Sequence, residues 1–226
     1  MILATSDIHS PIYLKDFLAE LNKYKGKVKI NLFLLAGDLA EKGNYKMFKP
    51  IYDALKGITT VAVFGNEDYH EFREYYKREY PEIVWLDDSY VELNYEGKKL
   101  AIIGSDGVLE QPTSWQKMNG MDENYYRKKL EKINEMLCGV KAEYKLLLTH
   151  YLPTFETAFG EKRSIYPQLG YKILEEARCL PNVAVHGHAH LSKVTFKTVR
   201  GVRVYNVAFP ANKHLVKIPL DPLLGI

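Results

Sequence analysis

The sequence predicts a mixed α/β protein, and three observations carry that prediction. Short apolar runs recur, they are separated by amphipathic helical patterns, and two later segments read as hairpins. The runs are Ile2-Leu3-Ala4, residues 30–35, residues 60–64, Leu146-Leu147-Leu148 and Val183-Ala184-Val185. Each is short, rich in branched residues and ended by polar or Gly positions, the pattern of a buried strand. Between them, residues 12–25 align Leu14, Phe17, Leu18 and Leu21 on one helical face, and residues 45–56 align Phe48, Ile51 and Leu55. A third helix is expected after Asp122, a suitable cap, with Tyr126, Leu130, Ile133 and Leu137 in register. Hairpins are expected over residues 89–104, turning at Glu96-Gly97, and over 193–207, turning at Arg200-Gly201. Antiparallel hairpins beside βαβ units imply mixed sheets. Residues 105–120 and 151–170 show no periodicity, and stretches of that length suit the walls of a binding site.

No repeat or linker divides the 226 residues, so residues 1–226 are read as one domain. At 46% apolar and 26% charged the chain is expected to fold around a sizeable core. Lys plus Arg number 31 against 28 Asp plus Glu, which gives no basic stripe for nucleic acid and no strong evidence for such a partner. No segment approaches a membrane span or a secretion signal, so a cytoplasmic location is expected. Cys138 and Cys179 share no metal-binding spacing, suit a reducing compartment and read as helix-packing residues. Abundant Lys, Glu and Tyr with few Gln point to a thermophilic source.

The five runs share a property that bears on function. Each is followed by side chains that bind metals: Asp7 and His9, Asp38, Asn66, His150, then His188 and His190. Ligands of α/β sheets collect at the carboxyl ends of strands, so these seven residues are expected at one edge. Gly37, Gly65 and Gly187 stand immediately before Asp38, Asn66 and His188, where glycine relieves crowding at a sharp turn. An isolated His is more often a packed or surface residue than a ligand. The ordered set is what argues for a site. Imidazole, carboxylate and amide oxygen without thiolate suit Mn²⁺, Fe²⁺, Zn²⁺, Co²⁺ or Ni²⁺.

In this order, Asp7-x-His9, Gly37-Asp38, Gly65-Asn66, His150 and Gly187-His188-x-His190 resemble the calcineurin-like metallophosphoesterase family. The resemblance implies a four-layer αββα sandwich with two mixed β-sheets and two divalent metal ions, Mn²⁺ favoured. It implies one ion held by Asp7, His9, Asp38 and His190, and a second by Asp38, Asn66, His150 and His188, with Asp38 bridging. It further implies a phosphate-ester hydrolase whose nucleophile is a metal-bound hydroxide. The expected activity is that of a phosphodiesterase. A phosphomonoesterase or nucleotidase of the same fold is the alternative, and a non-catalytic interaction module retaining the metals is the other.

One departure favours the diester. The family's usual Gly-Asn-His continues here as Gly65-Asn66-Glu67-Asp68, so a carboxylate stands where a phosphate-binding, proton-donating His is common. Among the residues expected to take part in catalysis are therefore Asp38, Asn66 and Glu67, with His70 as a substitute proton donor. Lys162 and Arg163, after His150, are candidates to clamp a phosphate beside Asn66, or else line a solvated loop. Asp68 is expected to orient the Asn66 loop, and His186 and His214 to be structural. Tyr69, Phe72, Tyr75, Tyr76 and Tyr80 read as one half-buried helix face, with base stacking as the other use. The tail from Phe209 to Ile226 is expected either to pack on the core or to make a subunit contact in a homo-oligomer.

Overall fold

Alternation along the strands sorts the apolar side chains onto opposite sheet faces, and each face finds its own partner. The computed structural model describes residues 1–220. Strands β1 (Ile2–Thr5), β2 (Leu32–Ala36), β3 (Thr60–Val63) and β4 (Ile83–Leu86) run parallel as neighbours. A second sheet is built from β5 (Ser89–Tyr95), β6 (Lys98–Ser105), β7 (Tyr144–Thr149), β8 (Val183–His186), β9 (Phe196–Val199) and β10 (Val202–Asn206), in the order β5-β6-β7-β8-β10-β9. Its outer pairs, β5 with β6 and β9 with β10, are the two antiparallel hairpins. The last strand, β11 (Val216–Lys217), pairs antiparallel with β1 and closes the first sheet's other edge. Both sheets are mixed, as the sequence implied.

Helices cover the outer faces. They are α1 (Leu14–Asn22), α2 (Lys49–Leu55), α3 (Arg73–Glu79), α4 (Ser114–Met118), α5 (Glu123–Gly139), α6 (Tyr166–Leu169), α7 (Ile173–Glu176) and α8 (Phe209–Asn212). Ala4, Leu34, Val61 and Val63 face Leu100, Ile102, Leu146 and Val185 between the sheets. On the outer face of the first sheet, Leu3, Phe33, Leu35 and Ala62 meet Phe17, Phe48, Ile51 and Tyr76. On the outer face of the second, Ala101, Ile103 and Leu147 meet Tyr126, Ile133 and Leu137 of α5. Three apolar layers separate four layers of secondary structure, the αββα sandwich. Each large core side chain cut to Ala would cost about 2–5 kcal/mol.

Several expectations change in detail. Residues 45–56 split into a 3₁₀ turn, Tyr45–Phe48, followed by α2 with Pro50 in its first turn, where a missing N–H costs nothing. The capping of α5 is as expected, Asp122 accepting a hydrogen bond from the Tyr125 amide at 2.9 Å. Cys138 and Cys179 are not free packing residues. They form a disulfide, with Cα atoms 5.2 Å apart, because the end of α5 lies beside the segment leading into β8. His214 is exposed outside any strand and donates to the Asn212 carbonyl at 2.6 Å. The tail packs Phe209, Leu215, Ile218 and Leu220 into the core, while its residues 221–226 lie outside those described.

Candidate metal centre

The parallel strands deliver their following loops to one edge of the sandwich, and all seven residues singled out in the sequence arrive there. Asp7 and His9 follow β1, Asp38 follows β2, Asn66 follows β3, His150 follows β7, and His188 and His190 follow β8. Asp7, His9, Asp38 and His188 have left-handed backbone, with φ of 54°, 43°, 51° and 69°. Such conformations cost energy in non-glycine residues and persist where the surroundings impose them. The glycines are needed for close approach. A Cβ on Gly65 would collide with the Asp38 side chain and amide, and one on Gly187 with Ser6 and Asp7.

Two groups of donors result, Asp7 with His9 and His190, and Asp7 with Asp38, His150 and His188. In the first, His190 Nε2 lies 2.8 Å from Asp7 Oδ1, and His9 Nε2 stands 3.8 Å from both Asp7 Oδ1 and Asp38 Oδ2. In the second, His150 Nε2 is 3.4 Å from Asp38 Oδ2, 3.0 Å from Asn66 Oδ1 and 3.1 Å from His188 Nδ1. Asp38 Oδ2 therefore lies between the two groups. Its other oxygen accepts from the Glu67 amide at 2.7 Å, which fixes the carboxylate's orientation. Backing contacts orient the rest. His150 Nδ1 donates to the Ala36 carbonyl at 2.9 Å and turns Nε2 inward, and the His188 amide donates to Asp7 Oδ2 at 3.0 Å. Glu41 Oε1 approaches His9 Nδ1 to 2.8 Å, outside hydrogen-bond alignment.

The donor set fits divalent cations. His9 Nε2 is buried with no hydrogen-bond partner, aimed between two carboxylates, a costly arrangement unless a cation completes it. The field agrees. Burial opposes charge on His150, yet Asp38 and then Asp7 push it up to about 10. Burial would raise both carboxyls, but the His190 hydrogen bond with the His150 charge lowers Asp7, and His150 lowers Asp38. His188, buried and beside His150, falls to about 3. The two carboxylates thus favour positive charge at His150 against burial.

The model of the calcineurin-like phosphoesterase family matches residues 1–192. The chain belongs to that family. Its members depend on two metal ions, and the two donor groups are where this chain presents candidate ligands. No curated protein sequence matches the chain. Among solved structures it is similar to a phosphopantetheinyl hydrolase from Mycobacterium tuberculosis, with TM-score 0.72 and 14% identity over 98% of this chain and 96% of that one. It is also similar to a putative 5′-nucleotidase from Staphylococcus aureus, with TM-score 0.61 and 14% identity over 91% of this chain and 48% of that one. At such identities the likeness is one of fold.

The other predicted residues of the phosphoesterase fall in distinct places. Asp68 is buried and accepts from the Gly65 amide at 2.9 Å, the Leu39 amide at 3.3 Å and the Tyr76 hydroxyl at 3.0 Å, tying the Asp38 and Asn66 loops together. Burial and the Asp38 charge raise its carboxyl above the usual range. Glu67 accepts from the Lys42 amide at 3.1 Å. His186 lies buried outside both groups, accepting from Thr157 at 2.8 Å and donating to the Gly187 carbonyl at 2.8 Å. His70 is exposed, near Asn66, Arg73 and Asp106 around a small recess. Lys162 and Arg163 are exposed and do not line the cleft beside the metal centre. Of the aromatic stretch, Tyr76 and Tyr80 are buried, Tyr75 is exposed, and Tyr69 lines that cleft. Sequence reasoning missed Trp115 and Gln116 on the cleft wall, although Thr113-x-x-Gln116 is a capping box that announces α4. It also missed a buried ionic network of Arg73, Lys129 and Asp106, which no local spacing reveals.

Proposed function

We propose that this family member is a phosphodiesterase whose two metal ions are held by Asp7, His9, Asp38 and His190, and by Asp38, Asn66, His150 and His188, with Asp38 shared. The observation that carries the reading is Asp38 Oδ2, which faces His9 Nε2 at 3.8 Å on one side and His150 Nε2 at 3.4 Å on the other. When bound, paired divalent ions activate water and neutralise charge on a phosphoryl group. The chain's own residues then set the geometry. The Glu67 amide holds Asp38, the Ala36 carbonyl holds His150, and the His188 amide holds Asp7.

Preference for diesters follows from charge. Glu67 brings a carboxylate to the cleft, and among the described residues no Lys or Arg lines it. A monoester dianion meets repulsion there, whereas a diester carries one charge fewer. The test is turnover of bis(p-nitrophenyl) phosphate against p-nitrophenyl phosphate, which share a leaving group, after Mn²⁺ is restored to metal-stripped protein. The diester should have the higher kcat/KM. A reversed order would make the protein a monoesterase. Turnover of neither ester, with metal content verified, would leave an interaction module.

A further inference from the structure

Beside the metal centre lies an open cleft of about 570 Å³, a volume suited to a nucleoside-sized group. Asn66 and His188 stand at its metal end. Its walls carry Tyr69, Trp115, Tyr151, Ile165 and Leu169 beside the uncharged polar side chains of Thr113, Gln116 and Gln168. Trp115 leaves 56% of its surface exposed, although indole is among the costliest side chains to leave in water. Its backbone is placed by α4. The α4 capping box joins Thr113 and Gln116 reciprocally, and Gln116 Nε2 donates to the Tyr151 hydroxyl at 3.1 Å. Tyr151 is buried and packs edge-on against His188, with ring centroids 5.1 Å apart. A chain of contacts thus runs from α4 through Gln116 and Tyr151 to His188. A binding surface formed before the ligand arrives loses little entropy on occupation.

Charge limits what this surface takes. The only acidic or basic side chains among the cleft residues are Glu67 and His188. A substituent with its own phosphate or carboxylate would meet Glu67 and no counter-charge. A planar uncharged ring would stack on Trp115. We infer that this cleft is the subsite for the second ester group of the phosphodiester, and that it selects an aromatic, uncharged group, aryl or nucleobase, over an alkyl or anionic one. The inference rests on the diesterase reading and sharpens it to a substrate class.

The test uses p-nitrophenyl phosphodiesters sharing that leaving group, with methyl, phenyl, thymidine or carboxyethyl as the second group. Stacking on one aromatic side chain should raise kcat/KM for phenyl and thymidine about 5- to 150-fold above methyl. The carboxyethyl ester should fall below methyl. In Trp115→Ala the phenyl-to-methyl ratio should approach one, and Trp115→Phe should retain part of it. A thymidine ratio above the phenyl ratio identifies a nucleoside site, and equal ratios a general aryl site. As a readout independent of turnover, free thymidine should quench tryptophan fluorescence in the wild type and not in Trp115→Ala. Equal rates for methyl, phenyl and thymidine esters, or an unchanged ratio in Trp115→Ala, would overturn the subsite while the diesterase reading stands. Should no diester be cleaved, the diesterase reading falls and the quench decides the subsite alone, its absence overturning it.

Discussion

Two clusters of buried charge sit close together in this molecule and are built on opposite plans. In one, Arg73 donates to Asp87 at 2.8 Å and to Asp106 at 2.9 Å, while Lys129 pairs with Asp88 at 2.8 Å and also with Asp106. Every charge there faces an opposite one supplied by the chain, and Arg73 lies over the Phe64 ring, 4.9 Å from its centroid. In the other, Asp7 and Asp38 are surrounded by imidazoles, and His9 Nε2 has no partner. The first cluster balances its charges within the chain, although Arg73 Nε itself has no hydrogen-bond partner, and it braces the two sheets, since Arg73 belongs to α3 and Lys129 to α5. The second offers donors that only an added cation satisfies. Burial and charge alone therefore do not mark a functional site. Unspent ligand capacity does.

Substitutions should separate the two plans, and the largest effect belongs to the metal centre. Asp38→Asn removes the carboxylate proposed to bridge the two ions, so both ions should be lost together, as elemental analysis would show. Loss of several kcal/mol of metal-derived stabilisation should lower phosphoester turnover about 10²–10³-fold or more. Full occupancy of both ions in that variant would refute the shared carboxylate.

Asp106→Asn should act on stability instead, costing about 3–5 kcal/mol because Arg73 and Lys129 keep their buried charges. Metal stoichiometry should not change. Burial would raise Asp106, but Lys129 and Arg73 hold it well below the usual carboxylate range. Its contribution is therefore fully present above the unfolded value of roughly 3.9, and it is lost as pH falls through the acid range below that. His150 behaves oppositely in metal-stripped protein. Its contribution is fully present below roughly 6.5 and is lost as pH rises through about 10. Urea unfolding across pH should show both limbs, with Asp106→Asn flattening only the acid one.

The smallest effect expected is at Glu67. Replacing it by His supplies a proton donor beside the metal centre, and an introduced imidazole should recover only a small part of the roughly 10²–10⁴-fold that a built general acid contributes. Glu67→His should help esters of poor leaving groups selectively and flatten the dependence of rate on leaving-group acidity. An unchanged slope would exclude this position as the donor's place.

How legible each plan was in the sequence follows from where its residues lie. The metal centre draws its donors from loops directly after apolar runs, three of them preceded by glycine, so strand pattern alone predicted that they would converge. The brace joins residues up to 41 positions apart on different elements, Lys129 to Asp88, and no run or spacing points to either. The disulfide was misread for the same reason, because Cys138 and Cys179 meet only once α5 packs beside the entry to β8. The sandwich's two hairpins and its buried strands were readable from alternation and turn residues. The short strand β4 was missed, although Ile83-Val84-Trp85-Leu86 is itself an apolar run. The cleft wall was hidden because its helix, α4, spans only five residues, too few for a periodic signal.

The Cys138–Cys179 bond also changes the covalent topology of the protein. It closes a ring, 41 positions around, that contains β7, His150, the cleft residues from Tyr151 to Leu169, and α7. Closing a loop of that length lowers the entropy of the unfolded chain by the equivalent of about 4 kcal/mol. A protease that cuts once inside the ring leaves a single covalent molecule, because the two new ends stay tethered through sulfur. One cut outside it, in the segment before α5 or after β8, divides the chain into separable fragments. One side of the cleft, from Tyr151 to Leu169, and His150 of the candidate metal centre are thus carried on the stretch of this protein that survives a single backbone break without parting from the rest.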